Sequence, residues 1–132
     1  MSLSKQPFQV WILSAFLTAA VTHAPVYTQE ALTPGHEERD IGISLYKQGN
    51  TESAIKALSN AVKKDKLDAD AWYFLALAWN GVGDPKGARK AFEQVVRLRP
   101  DFPEAQTGLA YSLFRLRKMR EEKYKKGREA GA

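Results

Sequence analysis

Residues 69–102 read ADAWYFLALAWNGVGDPKGARKAFEQVVRLRPDF, and this stretch decides the fold. It contains two runs in which apolar residues recur every three or four positions, and a short turn around Gly83 separates the runs. This spacing places the apolar side chains of each run on one face of an α-helix. The stretch is therefore predicted to fold as two amphipathic helices joined by a tight turn.

A similar pattern occurs 34 residues earlier in the chain. At this offset Gly83 aligns with Gly49, Ala88 with Ala54, Phe92 with Leu58 and Leu75 with Ile41. Self-similarity at a period of 34 is typical of helical repeat proteins. The sequence therefore predicts an all-α array of helical hairpins.

Cap and turn residues divide residues 37–98 into four predicted helices. The first covers about 37–47, and the second follows the N-cap residue Asn50 and ends near residue 64. The third begins at Asp68 or Asp70 and ends at the glycines of residues 81–83. The fourth follows Asp84-Pro85, which combines an N-cap with a proline in the first turn, and ends before Pro100.

A fifth helix is predicted after Asp101-Phe102-Pro103, where a cap and a proline again come together. Its apolar positions continue through Leu109, Leu113 and Met119. Arg117 stands where a glycine turn is expected, so the helix is predicted to run on toward residue 126. Gly127 is the predicted end.

These residues resemble the tetratricopeptide repeat family, whose 34-residue unit carries small and aromatic residues at fixed offsets. Residues 69–102 resemble that unit almost throughout, residues 35–68 less fully, and residues 103–117 only over their first helix. The resemblance implies a right-handed array of helical hairpins over 37–117, with a long C-terminal capping helix and a basic extension at 118–132. The residues that carry the packing signature are Gly42, Gly49, Ala54, Trp72, Ala76, Trp79, Gly83, Ala88, Phe92 and Pro100.

In that family ligands lie in a concave groove lined by the first helix of each repeat. Carried over by position, the groove residues are Arg39, Ile43, Tyr46, Asp70, Tyr73, Leu77, Asn80, Thr107, Tyr111 and Phe114, with Lys47, Glu104 and Arg115 at further matching positions. Mixed aromatic and apolar side chains on one side suit a peptide or protein partner. For each of these aromatics, a place in the core is the alternative.

The N-terminal residues 1–24 have the layout of a secretory signal peptide. An apolar run from Val10 to Val21 is shorter than the roughly 20 residues that cross a bilayer as a helix, and it ends in small residues before Pro25. The prediction is a cleaved leader, a linker at 25–36 and a periplasmic or secreted protein. An uncleaved membrane anchor and a helix packed on the folded body are the alternatives.

The net charge of +5 is concentrated at the C-terminus. Residues 115–132 carry eight basic and three acidic side chains, whereas the rest of the chain is balanced. Clustered cations could contact anionic lipid, an anionic polymer or nucleic acid. The favoured interpretation is a solvated capping helix, and with an exported leader nucleic acid is not expected as a partner. The alternative function is a membrane-anchored envelope adaptor that uses this basic tail.

The composition gives little support to chemistry. The chain has no cysteine and two histidines, so disulfides and thiolate sites are excluded. His36 lies beside two glutamates without a second ligand pair, and no triad or phosphate-binding loop is present. We therefore predict a non-catalytic scaffold without cofactor or metal. The pattern shows no capping helix at the N-terminal end of the repeat array. We therefore expect this end to contact a second copy of the chain or a partner.

Overall fold

A computed structural model describes residues 34–132 of the chain. The predicted leader at 1–24 and the linker residues 25–33 lie outside the described residues. Within 34–132 the chain forms five α-helices and no strand: α1 His36–Lys47, α2 Thr51–Lys64, α3 Ala69–Gly81, α4 Pro85–Leu98 and α5 Pro103–Ala130. The predicted all-α fold is confirmed.

The helices form consecutive hairpins. Helix α1 packs against α2, and α3 packs against α4, which gives the two predicted repeats. Helix α5 packs against α4 and also contacts α3, so it takes the place of the first helix of a third repeat. Because α1 contacts α3 and α3 contacts α5, the first helices of the repeats lie next to one another on one side of the array.

The turns inside the two hairpins form the same backbone hydrogen bonds. In the first, the N–H of Gly49 donates to the carbonyl of Tyr46 and that of Asn50 to Leu45; the second makes the same bonds at positions 34 residues later. Gly49 and Gly83 have φ values of 80° and 79°. A side chain is disfavoured in this left-handed conformation, and glycine ends each first helix for this reason.

Two of the predicted caps form as expected. Asp68 accepts a hydrogen bond from the N–H of Ala71, which identifies it rather than Asp70 as the cap of α3. Asp84 accepts bonds from the first turn of α4, where Pro85 needs no donor partner. Asn50 occupies the N-cap position of α2 as predicted, although its side chain makes no cap hydrogen bond. At α5, Pro103 lies in the first turn as predicted, but Phe102 and not Asp101 occupies the N-cap position.

The core consists mainly of alanines, with larger side chains between them. Leu58, Phe92 and Val95 are the large apolar residues that are fully buried. Small residues let the helices approach closely, and the few large ones fill the remaining space. Trp72 and Trp79, the two tryptophans of the predicted packing signature, lie at the edge of this core and stay partly exposed. Trp72 donates its indole N–H to the carbonyl of Lys66. The buried apolar cluster is Ala54, Leu58, Ala61, Val62, Ala71, Leu75, Ala76, Ala88, Ala91, Phe92, Val95 and Ala105.

Helix α5 is longer than the sequence predicts. It passes through Arg117 without a turn, as expected, but it also continues past Gly127 and ends at Ala130. The prediction that Gly127 ends it is wrong, because glycine within a helix costs only about 1 kcal/mol relative to alanine. Residues 117–132 are exposed throughout. Among the described helices, none has the length and apolarity that crossing a membrane requires.

Candidate functional site

The ten predicted groove residues all lie on α1, α3 and α5, the three neighbouring first helices. Their exposure differs along this surface. Those on α1 and α3 are mostly half-buried, and Ile43, Tyr46, Tyr73 and Leu77 pack against the core. Those on α5, which are Thr107, Tyr111 and Phe114, are exposed. We call the surface formed by these positions on α1, α3 and α5 the first-helix groove.

Tyr73 lies at the centre of a row of aromatic rings. Its ring centroid is 5.7 Å from that of Phe74, 6.1 Å from that of Phe92 and 5.0 Å from that of Phe102. The ring of Tyr46 extends the row from α1, at 5.9 Å from Phe74. Edge-to-face and tilted contacts of this kind stabilise aromatic pairs. The row fixes the position of the Tyr73 ring between two neighbouring repeats.

The pKa of the Tyr73 hydroxyl is influenced by residues on the other two first helices. Burial raises the pKa of its hydroxyl above the ordinary value, and Glu104 on α5 and Tyr46 on α1 raise it further. Tyr46, Tyr73 and Glu104 each come from a different first helix. The hydroxyl of Tyr73 is protonated at neutral pH with or without this shift, because the ordinary pKa of tyrosine is 10.0, and it can donate a hydrogen bond.

The α5 end of the groove carries the accessible aromatic surface. Tyr111 is 48% exposed and Phe114 is 54% exposed. The guanidinium of Arg115 lies 5.9 Å from the Tyr111 ring centroid and donates a hydrogen bond to its hydroxyl, and the ammonium of Lys118 lies 5.7 Å from the Phe114 ring. Cations stacked on exposed rings support their orientation. This pair of aromatics is available to a partner.

Two charged groove residues are engaged by ion pairs within the protein. The Nη1 atom of Arg39 lies 3.3 Å from Asp68, and its Nε atom lies 2.9 Å from Asp40. Burial acts to lower the pKa of Arg39, but these two carboxylates outweigh it and raise the pKa above its ordinary value. Asp70 pairs with Arg99 at 2.9 Å and is about half exposed. Arg39 thus links α1 to the beginning of α3 and is not free for a ligand. Asp70 remains accessible to a ligand.

Two members of the aromatic row, Phe74 and Phe102, were not among the predicted groove residues. Phe74 follows a groove position in α3, and successive helical residues differ by about 100° in direction, so it points toward the side of the neighbouring helix α1. Phe102 lies at the N-cap of α5, outside the periodic pattern of either helix. Only the packing of three elements around Tyr73 reveals its role.

A possible metal-binding group also occurs in the described part of the chain. Ligand atoms of His36, Asp65 and Asp68 lie within 4.8 Å of one another. However, Asp68 already caps α3 and pairs with Arg39, whose positive charge opposes a cation at this place. Asp65 also accepts a hydrogen bond from the N–H of Leu67. The arrangement serves the turn between α2 and α3.

Comparison with known families decides the relationship. A family described as Tetratricopeptide repeat matches residues 39–80 and 81–130, which together make up most of the chain. The chain belongs to the tetratricopeptide repeat family. The family resemblance predicted from residues 69–102 is thereby confirmed.

Solved structures with a similar fold include two crystal structures of MamA. One is 23% identical, with a TM-score of 0.58 over 73% of this chain and 62% of the other. The second is 24% identical, with a TM-score of 0.61 over 74% of this chain and 53% of the other. The chain thus spans little more than half the length of these proteins, and the likeness supports the fold. No curated protein matches the chain.

Proposed function

We propose that this protein is a non-catalytic scaffold that binds a peptide segment of a protein partner in the first-helix groove. The observation that carries the proposal is the gradient of aromatic exposure along that groove. Tyr46 and Tyr73 are held by the packed row, and Tyr111 and Phe114 present about half of their surface to solvent. Aromatic residues in this setting are frequent energetic centres of binding sites.

The ordering of these rings favours an extended or helical peptide with apolar anchors. The Tyr73 hydroxyl supplies one hydrogen-bond donor inside the groove, and Glu104 supplies a carboxylate near it. Rings that are already oriented by neighbours lose little conformational freedom on binding. The groove therefore offers apolar contact at its α5 end and polar contact at its centre.

Export to the periplasm or to the outside of the cell is part of the proposal, and the apolar pattern of residues 1–24 supports it. N-terminal sequencing of the protein from its native host tests this part. A mature chain that begins at Pro25 is the expected result. A chain that retains Met1 would overturn cleavage and favour an anchored form.

Capture of partners on immobilised protein tests the groove. The double variant Tyr111→Ala/Phe114→Ala removes exposed rings without opening the core, whereas Tyr73→Ala would also disturb its packed neighbours Phe92 and Phe102. Tyr124→Ala is the matched control, because Tyr124 is 68% exposed on the same helix but lies outside the groove.

A protein that is retained by the wild type and by Tyr124→Ala, but lost from the double variant, is the expected result. Its binding segment should then bind as a synthetic peptide with the same sensitivity to substitution. Equal capture by all three forms would show that partners bind elsewhere. Circular dichroism checks that each variant keeps its helical content.

A further inference from the structure

A second surface lies between the beginning of α4 and the middle of α5. It is a cleft of about 690 Å³ with an apolar floor formed by Leu113, Leu116 and Met119. Cationic side chains form its rim, and among the described residues that line it none is acidic. The rim residues are Lys86, Arg89, Lys90, Arg117, Arg120 and Lys123. We call this surface the basic cleft.

The repeat relationship shows what kind of element the basic cleft lacks. Leu113 stands 34 residues after Trp79. In the second repeat α4 packs so closely on Trp79 that a Cβ atom on Gly87 would lie 2.7 Å from the indole ring. No helix of the described chain covers Leu113 in this way, and it is 49% exposed. We call residues 103–117 the half repeat. Its exposed apolar surface is the one that a second helix, α4, covers in the preceding repeat.

The positive charges of the rim indicate what kind of partner the basic cleft would bind. Arg89 and Arg117 each pair with a glutamate one turn later on their own helix. The other four rim cations concentrate positive charge around the apolar floor, which is unfavourable until opposite charge approaches. A helix with an apolar stripe flanked by aspartate and glutamate would match both the floor and the rim.

We propose that the basic cleft binds an acidic amphipathic α-helix of a partner protein, which completes the third repeat by packing beside α5. The cleft shares none of its lining residues with the predicted groove positions. The inference thus stands independently of peptide binding in the first-helix groove. DNA would use the rim alone, because it has no apolar stripe to place on the floor. An anionic membrane would contact both the rim and the floor, so vesicles are tested in direct competition with the peptide.

The test uses the full chain and a fluorescent synthetic helix of roughly 18 residues, or five turns. The probe carries leucine at positions i, i+3, i+4 and i+7 and glutamate on its flanks. One control peptide has the same composition in scrambled order, and a second has lysine in place of glutamate. Fluorescence anisotropy gives the Kd of each. The patterned acidic peptide is expected to bind at least about tenfold more tightly than either control.

Two pairs of variants locate the binding surface on α5. Lys123→Glu reverses a rim charge, and Lys126→Glu makes the same change outside the cleft. Leu113→Ser removes part of the floor, and Phe114→Ser removes a similarly exposed side chain on the groove side. The first member of each pair should weaken binding by about fivefold or more, and the second by less than about twofold.

The results separate the alternatives. Equal binding of the patterned and scrambled acidic peptides would overturn the proposal, because charge alone would then account for binding. Tight binding of duplex DNA that is sensitive to Lys123→Glu but unaffected by Leu113→Ser would overturn it in favour of a polyanion surface, and displacement of the bound peptide by anionic vesicles would overturn it in favour of a membrane surface. Loss of peptide binding in Phe114→Ser instead of Leu113→Ser would place the peptide in the first-helix groove and also overturn it.

Discussion

The second repeat and the half repeat begin with similar helices but differ in what covers them. In the second repeat, α3 turns at Gly83 and α4 returns to cover Trp79. In the half repeat, Arg117 continues α5, and the equivalent Leu113 stays half exposed. The same apolar position is therefore covered by a helix and partly buried in one repeat, and accessible surface in the other. The difference depends on whether the segment after the first helix turns back over it. Three pairs of substitutions and one titration test this difference.

The largest difference in stability is expected when alanine replaces a fully buried side chain in one variant and a half-exposed side chain in another. Phe92 is 1% exposed, contacts the ring of Tyr73 and packs beneath α5. Phe92→Ala should lower the free energy of unfolding by about 3–5 kcal/mol, because it leaves a cavity. Leu113→Ala should lower it by less than about 1 kcal/mol. Urea denaturation followed by circular dichroism measures both, and similar losses for the two variants would contradict the comparison.

A close approach between α4 and α5 should give the next largest effect. A Cβ atom at Gly108 would lie 2.3 Å from the Phe92 ring, so Gly108→Ala should overpack this contact and cost about 1–3 kcal/mol. In the same helix Gly127 has no neighbour within 4 Å, and Gly127→Ala should be neutral or stabilise by up to about 1 kcal/mol. Thermal melts of the two variants should shift in opposite directions or by clearly different amounts. A neutral Gly108→Ala would mean that overpacking at Phe92 costs no more than the roughly 1 kcal/mol of helix propensity that alanine gains, and stabilisation equal to that of Gly127→Ala would mean that α5 does not pack on Phe92.

The left-handed turn at Gly83, which has no counterpart in the half repeat, should contribute less to stability than these packing contacts. Because Gly83 has a φ of 79°, Gly83→Ala should destabilise the protein by about 1–2 kcal/mol. Gly81→Ala is the control, since Gly81 ends α3 without positive φ and an added Cβ would make only ordinary contact at 3.4 Å. If the two variants had equal urea midpoints, the left-handed turn would not be what ends α3.

The sequence predicts the repeats well because their signals are local. Glycine at the turn, aspartate at the caps and alanine at close contacts each act within a few residues, and their recurrence after 34 positions identifies the hairpin order. The length of α5 was harder to predict. Gly127 resembles a helix end in sequence, but a single glycine only weakens a helix, and nothing after it competes with continuation.

The candidate site was predictable only in outline. Positions such as Tyr73 and Tyr111 follow from the repeat offsets, but their different exposure depends on neighbours that are distant in sequence. Phe102 covers Tyr73, whereas no described element covers Tyr111 in the same way. The basic cleft was not predicted at all. Its rim joins residues from the start of α4 with residues about 30 positions later on α5, and only the packing of these helices brings them together.

The smallest effect on stability is expected from ion pairs, which differ between the first repeat and the exposed half of α5. Glu38 accepts a hydrogen bond from Lys64 and so joins α1 to α2, whereas Arg117 and Glu121 pair within a single turn of α5. The hydrogen bond from Lys64 lowers the pKa of Glu38 below its ordinary value of 4.5. The pair therefore contributes stability above that pH, and the contribution is lost as the pH falls through the lower, folded-state pKa. The change in stability should be small, because the pair is solvated.

An NMR titration of the Glu38 carboxyl group resolves this contribution more directly than unfolding does. Lys64→Gln should raise the pKa of Glu38 toward 4.5, because the donor that stabilises the carboxylate is gone. Lys63→Gln removes the same charge from the neighbouring position and should leave the titration midpoint almost unchanged. If both variants shifted it equally, the general positive charge of the end of α2 would be responsible, and the contact between α1 and α2 would be no more specific than the pairs along the uncovered half of α5.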